Sequence, residues 1–451
     1  MSFGPIENWL RFGQGTEMRS DWKDLELLDK RYLWHPFTPM EEWIAAEHHP
    51  LVLVSGDGVW LTDTHGNKYL DGNSSIWTNI HGHNHPTINQ AINEQLRLVA
   101  HTSFLGFSNP PAVRLAEKLV RLLGDSSLTR VFYSDDGATG IEVAIKMTWQ
   151  YFSQNGLPQK TVFAAFQNAY HGDTLGASSL GGIVQFHDRF ARHHFPVERL
   201  TAVQDLDRLA GEKTAAIIIE PLIQGVAGMR IWPPGMLRSL RDWCDQHGAF
   251  LIFDEVMTGF GRTGKMFAFQ HEGVYPDFLV LAKGLTGGYL PLAATITSER
   301  VFNGFLGAAE QMRTFFYGHS YTGNALGCAA ALASLQLFES EGTLAKLPEK
   351  IEHLARGLDR LRENRWIRET RQCGMIAGIE VGHPDGTFDP RERIGTRICV
   401  AARKWRLLTR PIQDTIVFMP PLCVSESEID LGLEAIERAT EGVCGRSEGV
   451  G

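Results

Sequence analysis

The stretch FLVLAKGLTGGYLPLAA, residues 278–294, places a single lysine at the end of an apolar run and follows it with glycines. The lysine is Lys283, and the glycines are Gly284, Gly287 and Gly288. A lysine is seldom placed where a buried strand stops, because its ammonium group must reach water or find a partner. The glycines allow a positive φ or a close approach of the backbone to another group. Lys283 is therefore a candidate functional residue.

Short apolar runs alternate with helical stretches from about residue 86 onward. Six runs have this character: TRVFYSD, TVFAAF, AAIIIEP, AFLIFDEV, FLVLAKG and LAATITS. Runs of this length, separated by helices, predict a mostly parallel α/β sheet that is buried on both faces. Residues 50–72 instead alternate strand-like runs with Gly-Asp-Gly and His-Gly-Asn turns, which is typical of a small β-meander.

The last third of the chain predicts a separate α+β domain, because it combines long helical segments with isolated apolar runs. Residues 1–30 are polar and mixed, and we expect them to be helical or loose. The expected division has three parts: an N-terminal segment, residues 1–85, that packs with the small domain; a large cofactor-binding domain, residues 86–335; and a C-terminal small domain, residues 336–451. The expected fold class is α/β.

The composition disfavours several functional classes. The chain has 451 residues, of which 43% are hydrophobic and 21% charged, and its formal net charge is −9. An acidic balance without a basic run argues against nucleic-acid binding. Six scattered cysteines without a C-x-x-C pair indicate reduced thiols. No signal peptide and no apolar stretch of about 18 residues is recognised, so we expect a cytoplasmic protein without a membrane span.

A carboxylate accompanies the lysine. Asp254 ends the run AFLIFDEV and stands 29 residues before Lys283. Ligands of open α/β sheets lie at the carboxyl ends of the strands, so the two side chains are expected at one edge. A buried carboxylate needs a cationic partner, which can be the protonated ring nitrogen of a ligand. Lys283 would then be an amine with a lowered pKa that can form a Schiff base.

Two further segments fit this interpretation. YSDDGATGIEVAIKM predicts a strand, a turn at Gly137 and Ala138, and a helix whose N-terminus can bind an anion. NAYHGDT offers the aromatic ring of Tyr170. Taken singly, a strand-terminal lysine is more often a surface residue, and a Gly-Ala-Thr start is usually a helix cap. The order and spacing of all four signals predict a pyridoxal phosphate site.

Three histidines, His81, His83 and His85, alternate along one segment. They have no accompanying carboxylate or cysteine set, so a packing role is favoured over metal binding. No metal site is expected.

The segment LIFDEVMTGFGRTGKMFAFQHEGVYPDFLVLAKGLTGGYLPLAA, residues 251–294, resembles the signature of the class III aminotransferases, which are fold type I enzymes that use pyridoxal phosphate. Within that class, the chain is similar to the enzymes of biotin synthesis that act on 8-amino-7-oxononanoate. This closer resemblance is carried by YLWHPFTPM, GNSSIWTNIHGHNHP, YSDDGATGIEVAIKM, YHGDTLGASSLGG, FFYGHSYTGNALGC and LLTRPIQDTIVFMPPL. It covers about residues 30–440.

The resemblance implies roles for individual residues. Lys283 would hold the cofactor as a Schiff base, and Asp254 would pair with its pyridinium nitrogen. The other implied cofactor contacts are phosphate-binding backbone at Gly137 and Ala138, a stacking ring at Tyr170, and a loop with Gly318, His319 and Ser320. This loop would come from the other subunit, which implies a homodimer with shared active sites.

The implied substrate pocket consists of Phe37, Ile76, Trp77, Tyr170, Gly318 and Arg410. Arg410 would pair with a substrate carboxylate, which a guanidinium group can bind bidentately. Well-known members of the family carry a tyrosine at the position of Phe37 and a tryptophan at the position of Ile76. The implied reaction is the transamination of 8-amino-7-oxononanoate to 7,8-diaminononanoate by a ping-pong mechanism, with S-adenosylmethionine or lysine as amino donor.

Two other activities remain open at this point. An ω-amine or diamine:pyruvate aminotransferase of the same class would differ only in the pocket, and an aminomutase relative would keep the cofactor site. The presence together of Lys283, Asp254 and Arg410 favours a transaminase. A dinucleotide enzyme is disfavoured, because no G-x-G-x-x-G follows an early strand.

Overall fold

The computed structural model describes residues 22, 24–124, 127–384 and 386–447. Most of the expectation for residues 1–30 therefore lies outside the described residues. The strands, in chain order, are β1 (Leu53–Asp57), β2 (Trp60–Asp63), β3 (Lys68–Asp71), β4 (Leu128–Ser134), β5 (Val162–Phe166), β6 (Val197–Leu200), β7 (Thr214–Ile219), β8 (Ile223–Gln224), β9 (Arg230–Ile231), β10 (Phe250–Asp254), β11 (Phe278–Leu281), β12 (Ala293–Ser298), β13 (Ile367–Cys373), β14 (Ile376–Val381), β15 (Leu407–Leu408), β16 (Pro411–Ile412) and β17 (Thr415–Phe418).

The helices, in chain order, are α1 (Leu25–Tyr32), α2 (Met40–Ile44), α3 (Ser74–Trp77), α4 (Pro86–Leu98), α5 (Pro110–Leu122), α6 (Gly137–Gln154), α7 (Leu175–Leu180), α8 (Val184–His187), α9 (Met236–His247), α10 (Glu299–Asn303), α11 (Ala325–Ser340), α12 (Thr343–Leu361), α13 (Ile394–Ala402) and α14 (Glu426–Ser447). Within the described residues, no helix is both long enough and apolar enough to cross a lipid bilayer.

The largest sheet has the strand order β4-β12-β11-β10-β7-β5-β6. β12 is antiparallel to both of its neighbours, and the other pairs are parallel. All residues of β7, β10 and β11 are buried. Alternate residues of these strands belong to two separate hydrophobic clusters, one with side chains of α6 and the other with side chains of α9, so both faces of the sheet are covered. The predicted mostly parallel α/β fold is confirmed.

The six predicted apolar runs all form strands of this sheet, and the seventh strand is β6. The sequence did not predict β6, because its residues VERL are only partly buried at the edge of the sheet. Edge strands that face water on one side lack the continuous apolar run of a central strand.

Two smaller sheets involve the ends of the chain. The predicted meander is present, since β1, β2 and β3 pair antiparallel in chain order. β15, from the C-terminal third, extends this sheet by pairing parallel to β3. The C-terminal third also forms an antiparallel sheet in the order β13-β14-β17-β16, and its helices α12 and α13 contact α14.

The parallel strands bring several chain segments to one edge of the large sheet. β4, β5, β7, β10 and β11 all run in the same direction, so their carboxyl ends lie on the same side. α6 begins directly beyond the carboxyl end of β4 and packs across the sheet. The residues that follow these strands are therefore the ones that a ligand at this edge would meet.

Candidate active site

Lys283 lies two residues beyond β11 and opens a short 3₁₀ turn over Lys283–Thr286. Its own φ is +47°, and Gly287 ends the turn with φ +65°. The Nζ atom lies 4.7 Å from the centroid of the Trp77 ring. Burial lowers the pKa of Lys283 from its ordinary value, while the carboxylates of Asp254 and Glu220 act in the opposite direction. A buried amine with a lowered pKa is a better nucleophile at neutral pH.

Trp77 reaches the lysine from a left-handed turn of backbone. Four successive residues, Ser74 to Trp77, have φ values of +46°, +49°, +67° and +66°. L-residues pay about 1–2 kcal/mol each in this region, so the surroundings must hold the turn. Asp71 does so by accepting hydrogen bonds from the backbone N and Oγ of Ser75 at 2.9 and 2.8 Å. The Trp77 Nε1–H donates to Asn73 Oδ1 at 2.8 Å, which fixes the ring.

Asp254 is the last residue of β10, and its carboxylate is held from two sides. His171 Nδ1–H donates to Oδ2 at 2.7 Å, and the backbone N–H of Val256 donates to Oδ1 at 3.1 Å. Both the Asp254 and the His171 side chains are buried. His171 was not among the expected site residues, and its only sequence signal was its position beside Tyr170. These two hydrogen bonds fix the orientation of the carboxylate.

Two glutamates at neighbouring strand ends are fully buried but differ in their surroundings. Burial raises the pKa of each to about 7. Glu255 accepts hydrogen bonds from the backbone N–H groups of Ala268 and Phe269, at 2.7 and 2.8 Å, and so holds a loop. Glu220 follows β7, and its Oε1 accepts a hydrogen bond from the backbone N–H of Gly225 at 3.0 Å. Of the two, Glu220 is the one that influences Lys283.

The N-terminus of α6 offers backbone N–H groups beside the lysine. Asp136 caps the helix through a capping box with Thr139. Within the described residues, the N–H groups of Gly137 and Ala138 have no hydrogen-bond partner, as expected for the first turn of a helix. A cavity of about 330 Å³ is lined by both Gly137 and Lys283. Lys283 and the first residue of α6 therefore line the same space.

Glycines let the surrounding segments close on this helix terminus. A Cβ on Gly137 would lie 2.7 Å from Val256 Cγ1. Gly172, with φ +118°, would place a Cβ only 2.3 Å from the Cβ of Ala138. A Cβ at either position would force neighbouring atoms to shift. The loop that carries Tyr170 and the start of α6 are therefore in direct contact.

Tyr170 is half-buried, and its hydroxyl donates to Asp173 Oδ2 at 2.7 Å. Burial raises the pKa of the Tyr170 phenol well above its ordinary value. Its ring is stacked on His187, with centroids 6.2 Å apart, and meets the edge of Phe186. Phe186 in turn contacts Phe37 at a centroid distance of 5.3 Å. The structure thus joins Phe37 to Tyr170 through Phe186, which sequence reasoning did not identify.

Several expected residues lie at the exposed rim. Ile76 and Ser320 are exposed, and Gly318 has φ +152° in the same loop as Ser320. His319 Nδ1 lies 3.5 Å from Asp135 Oδ2, and Asp135 lines the 330 Å³ cavity.

Arg410 is also exposed and stands between β15 and β16. Its carbonyl accepts a hydrogen bond from the backbone N–H of Val417 at 3.2 Å. Val417 belongs to the same hydrophobic cluster as Trp77. The backbone of Arg410 is therefore anchored next to the Trp77 side of the site.

The three alternating histidines make separate contacts. His81 Nε2 lies 3.2 Å from Ser334 Oγ, and His85 Nε2 lies 3.0 Å from Glu341. His83 Nε2–H donates to Asp71, the residue that holds the left-handed turn, at 2.9 Å. Each ring therefore has a polar contact of its own.

These features fit pyridoxal phosphate. The site offers an amine of lowered pKa, an oriented buried carboxylate, free N–H groups at a helix N-terminus and an aromatic ring. The glycines leave open the space that a phosphate needs beside the backbone. An open, mostly parallel α/β sheet with this set at its carboxyl edge defines a pyridoxal-phosphate enzyme.

Comparison with known proteins narrows the class. The family described as "Aminotransferase class-III" matches residues 43–440, so the chain is a class III aminotransferase. It is 44% identical to the adenosylmethionine-8-amino-7-oxononanoate aminotransferase of Geobacter sulfurreducens, over 95% of this chain and 99% of that protein. The crystal structure of the corresponding enzyme of Methanocaldococcus jannaschii superposes with a TM-score of 0.91 at 38% identity, over 93% of this chain and 99% of that one.

A more distant similarity extends to amine transaminases. The crystal structure of a thermostable (S)-enantioselective omega-transaminase of Thermomicrobium roseum superposes with a TM-score of 0.88 at 32% identity. The match covers 93% of this chain and 98% of that one. The protein is thus a pyridoxal-phosphate-dependent aminotransferase of fold type I.

Proposed function

We propose that the enzyme transfers an amino group to 8-amino-7-oxononanoate and forms 7,8-diaminononanoate, a step of biotin biosynthesis. The donor amine becomes a carbonyl group and the ketone of the acceptor becomes an amine, so no external oxidant or reductant is needed. The observation that carries this proposal is the 44% identity, over nearly the full length of both chains, to a relative with this activity in its name.

Lys283 and Asp254 are proposed as the catalytic residues. Bound pyridoxal phosphate supplies an electron-accepting ring that stabilises negative charge next to the reacting amine. Lys283 would hold the cofactor covalently and would move the proton at the carbon that bears the reacting amine. Asp254, oriented by His171 and the backbone of Val256, would keep a proton on the ring nitrogen. Trp77, 4.7 Å from Nζ, would exclude water from the lysine.

The phosphate would bind to the free N–H groups of Gly137 and Ala138, and Tyr170 would stack on the cofactor. His319, Ser320 and the backbone of Gly318 would complete this site from the other subunit of a homodimer. Support for a dimer comes from the surface near this loop, where large apolar side chains are exposed: Phe316 is 76% exposed and Tyr321 58%. Exposed apolar surface of this kind is typical of a protein interface.

Phe37, Ile76 and Trp77 would form apolar walls for the methylene chain of the acceptor. Arg410 would bind the α-carboxylate of the amino donor, since Arg410 is exposed and a guanidinium group can bind a carboxylate through two parallel hydrogen bonds. The two substrates would use one pocket in turn, which is the order of a ping-pong cycle. S-Adenosylmethionine and lysine are both proposed as donors to be tested.

The test is a product assay with the purified holoenzyme. It is incubated with 8-amino-7-oxononanoate and either S-adenosylmethionine or lysine, and 7,8-diaminononanoate is measured by mass spectrometry. We expect product with at least one of the two donors. Absence of product with both, combined with turnover of a simple amine and pyruvate, would support the second candidate, an ω-amine or diamine:pyruvate aminotransferase. That candidate is favoured by the likeness to the omega-transaminase of Thermomicrobium roseum. An aminomutase would release an isomer of its substrate without any acceptor.

We also propose that the chain has three parts, residues 1–85, 86–335 and 336–451, and that the protein is cytoplasmic. The three-part division at residues 85 and 335 is supported by β15, which links the N-terminal meander to the C-terminal third. A cytoplasmic location is supported by the six cysteines, none of which is paired in a disulfide.

A further inference from the structure

Glu220 lies at the end of β7, between Asp254 and the segment that carries His171, the residue that donates a hydrogen bond to Asp254. β7 is flanked by β10 on one side and β5 on the other. Ile219 pairs with Phe253, so the next residues, Glu220 and Asp254, stand side by side at the sheet edge. His171 comes from the segment after β5 yet bonds to Asp254. Its imidazole must therefore cross the end of β7, where Glu220 is.

Two buried polar atoms at this crossing have no hydrogen-bond partner among the described residues. They are Nε2 of His171 and Oε2 of Glu220. The opposite atom of each side chain is bonded, His171 Nδ1 to Asp254 and Glu220 Oε1 to the N–H of Gly225. Buried polar atoms without a partner are rare, and each one calls for a physical reason.

We propose that Glu220 is a positioning residue that shares one proton with His171 Nε2 through one bound water molecule, since the two atoms do not hydrogen-bond to each other. The shared proton keeps His171 as a donor from Nδ1 to Asp254, and Asp254 as an oriented carboxylate. With the proton on Glu220, the imidazole is neutral; with the proton on His171, the glutamate is charged. The three side chains together carry the same net charge in both arrangements. This inference rests on the proposed role of Asp254.

The charges around Glu220 are consistent with a single shared proton. Burial and the neighbouring Asp254 raise the pKa of Glu220 to about 7, whereas His171 and the N–H groups of Gly225 and Tyr170 lower it. Lys283, from the turn after β11, also interacts electrostatically with Glu220, whose carboxylate favours the charged ammonium group. Loss of the proton would leave two adjacent carboxylates charged in a buried site, which is costly.

The test compares two substitutions of Glu220. Glu220→Gln keeps an amide N–H that can donate to the bridging water molecule and an oxygen for the N–H of Gly225, whereas Glu220→Leu keeps neither. The readout is the affinity of each apo-protein for pyridoxal phosphate, measured by absorbance titration between pH 6 and 9. We expect Glu220→Gln to stay near wild type and Glu220→Leu to bind about tenfold more weakly, the loss expected for one buried hydrogen bond. Equal affinity of the two variants would overturn the proposal.

A double-mutant cycle distinguishes loss of the Glu220–His171 interaction from a general destabilisation of the fold by Glu220→Leu. His171→Asn keeps a donor for Asp254 but has no group that reaches Glu220. In that background Glu220→Leu is expected to cost little more, because the partner is already gone. Full additivity of the two substitutions would contradict the proposal. Thermal unfolding of the apo-proteins shows whether the variants fold, and the same cycle measured on unfolding detects the pair even in a variant that does not bind the cofactor.

Failure of the proposed function is recognised separately. Borohydride reduction of the wild-type holoenzyme identifies the lysine that holds the cofactor. If that lysine is not Lys283, the proposed function fails, while the coupling between Glu220 and His171 in the apo-protein still decides the present inference.

Discussion

Two regions of the site differ in how far they are buried within one chain: the strand edge, formed by Asp254, His171 and Glu220, and the rim, formed by Phe37, Ile76 and the loop around Ser320. At the strand edge, Asp254, His171 and Glu220 are buried and tied to one another or to nearby backbone. At the rim, Phe37 and Ile76 are exposed, as is most of the loop around Ser320. Within one chain, buried contacts already fix the orientation of the Asp254 carboxylate. The proposed substrate pocket and the loop around Ser320 are largely exposed, and we propose that a partner subunit completes them.

Asp254→Asn should have the largest effect, because it acts on the strand edge. The neutral amide can keep a hydrogen bond to His171 but cannot hold a proton on the ring nitrogen. We expect turnover to fall on the order of 10²–10³-fold, as for loss of a preorganised electrostatic contact. Turnover is measured on protein whose bound cofactor has been quantified by absorbance. A variant that binds cofactor and turns over at nearly the wild-type rate would show that the strand edge is not the chemical centre.

A subunit-mixing experiment tests whether the rim is completed by a partner. Lys283→Ala and a variant with His319→Ala and Ser320→Ala lie on opposite sides of a shared site. Mixed dimers would contain one site with all the changes and one site with none, so activity should return from near zero. Mixing each variant with itself is the control. Verified mixed dimers that stay inactive would mean that each chain builds its site alone.

Arg410→Ala should have an intermediate effect that is confined to one half of the reaction. Loss of a charged bidentate contact weakens binding by about 10–100-fold. We expect KM for the amino donor to rise by this factor and KM for the acceptor to change little. For Arg410→Lys, KM for the donor should lie between the values of the wild type and of Arg410→Ala. Half-reactions with donor alone and acceptor alone separate the two. A rise restricted to the acceptor would assign Arg410 to the remote carboxylate of that substrate.

The smallest effect concerns stability of the strand edge against pH. The pKa of Glu220 is raised to about 7 in the folded chain, above its ordinary value in an unfolded chain. Its contribution to stability is therefore fully present at acidic pH and is lost as pH rises through about 7. Relative to Glu220→Gln, the unfolding temperature of the wild-type apo-protein should fall by a few degrees between pH 5 and 8. A constant difference across this range would show that Glu220 does not titrate there.

The sequence predicted most of the large sheet and the polar residues that end its strands. Apolar runs identify central strands well, because these strands are buried on both faces, and Lys283 and Asp254 stand out as exceptions at their ends. β6 was missed because a half-exposed edge strand has no such run. His171 and Phe186 were missed as site residues because their roles depend on contacts between segments distant in sequence, whereas Glu220, like Asp254, is recognisable as a polar residue at a strand end. His171 meets Asp254 across 83 residues of chain, a pairing that no local pattern records.

The left-handed turn before Trp77 was equally invisible to sequence reasoning. Its residues Ser74–Trp77 include no glycine, although all four have positive φ. The conformation is imposed by Asp71 and by the carbonyl of Met419, which accepts a hydrogen bond from Ser74 Oγ at 2.6 Å. Tertiary contacts, rather than local preference, decide the backbone at this point.

The most direct test of the account is to identify the lysine that binds pyridoxal phosphate. The holoenzyme is reduced with borohydride, digested, and the labelled peptide is located by mass spectrometry, with Lys283→Ala as the matched control. We expect one label, on Lys283, and none in the variant, which should remain folded. A label on another lysine of the wild-type protein, or a label that persists in Lys283→Ala, would contradict the account.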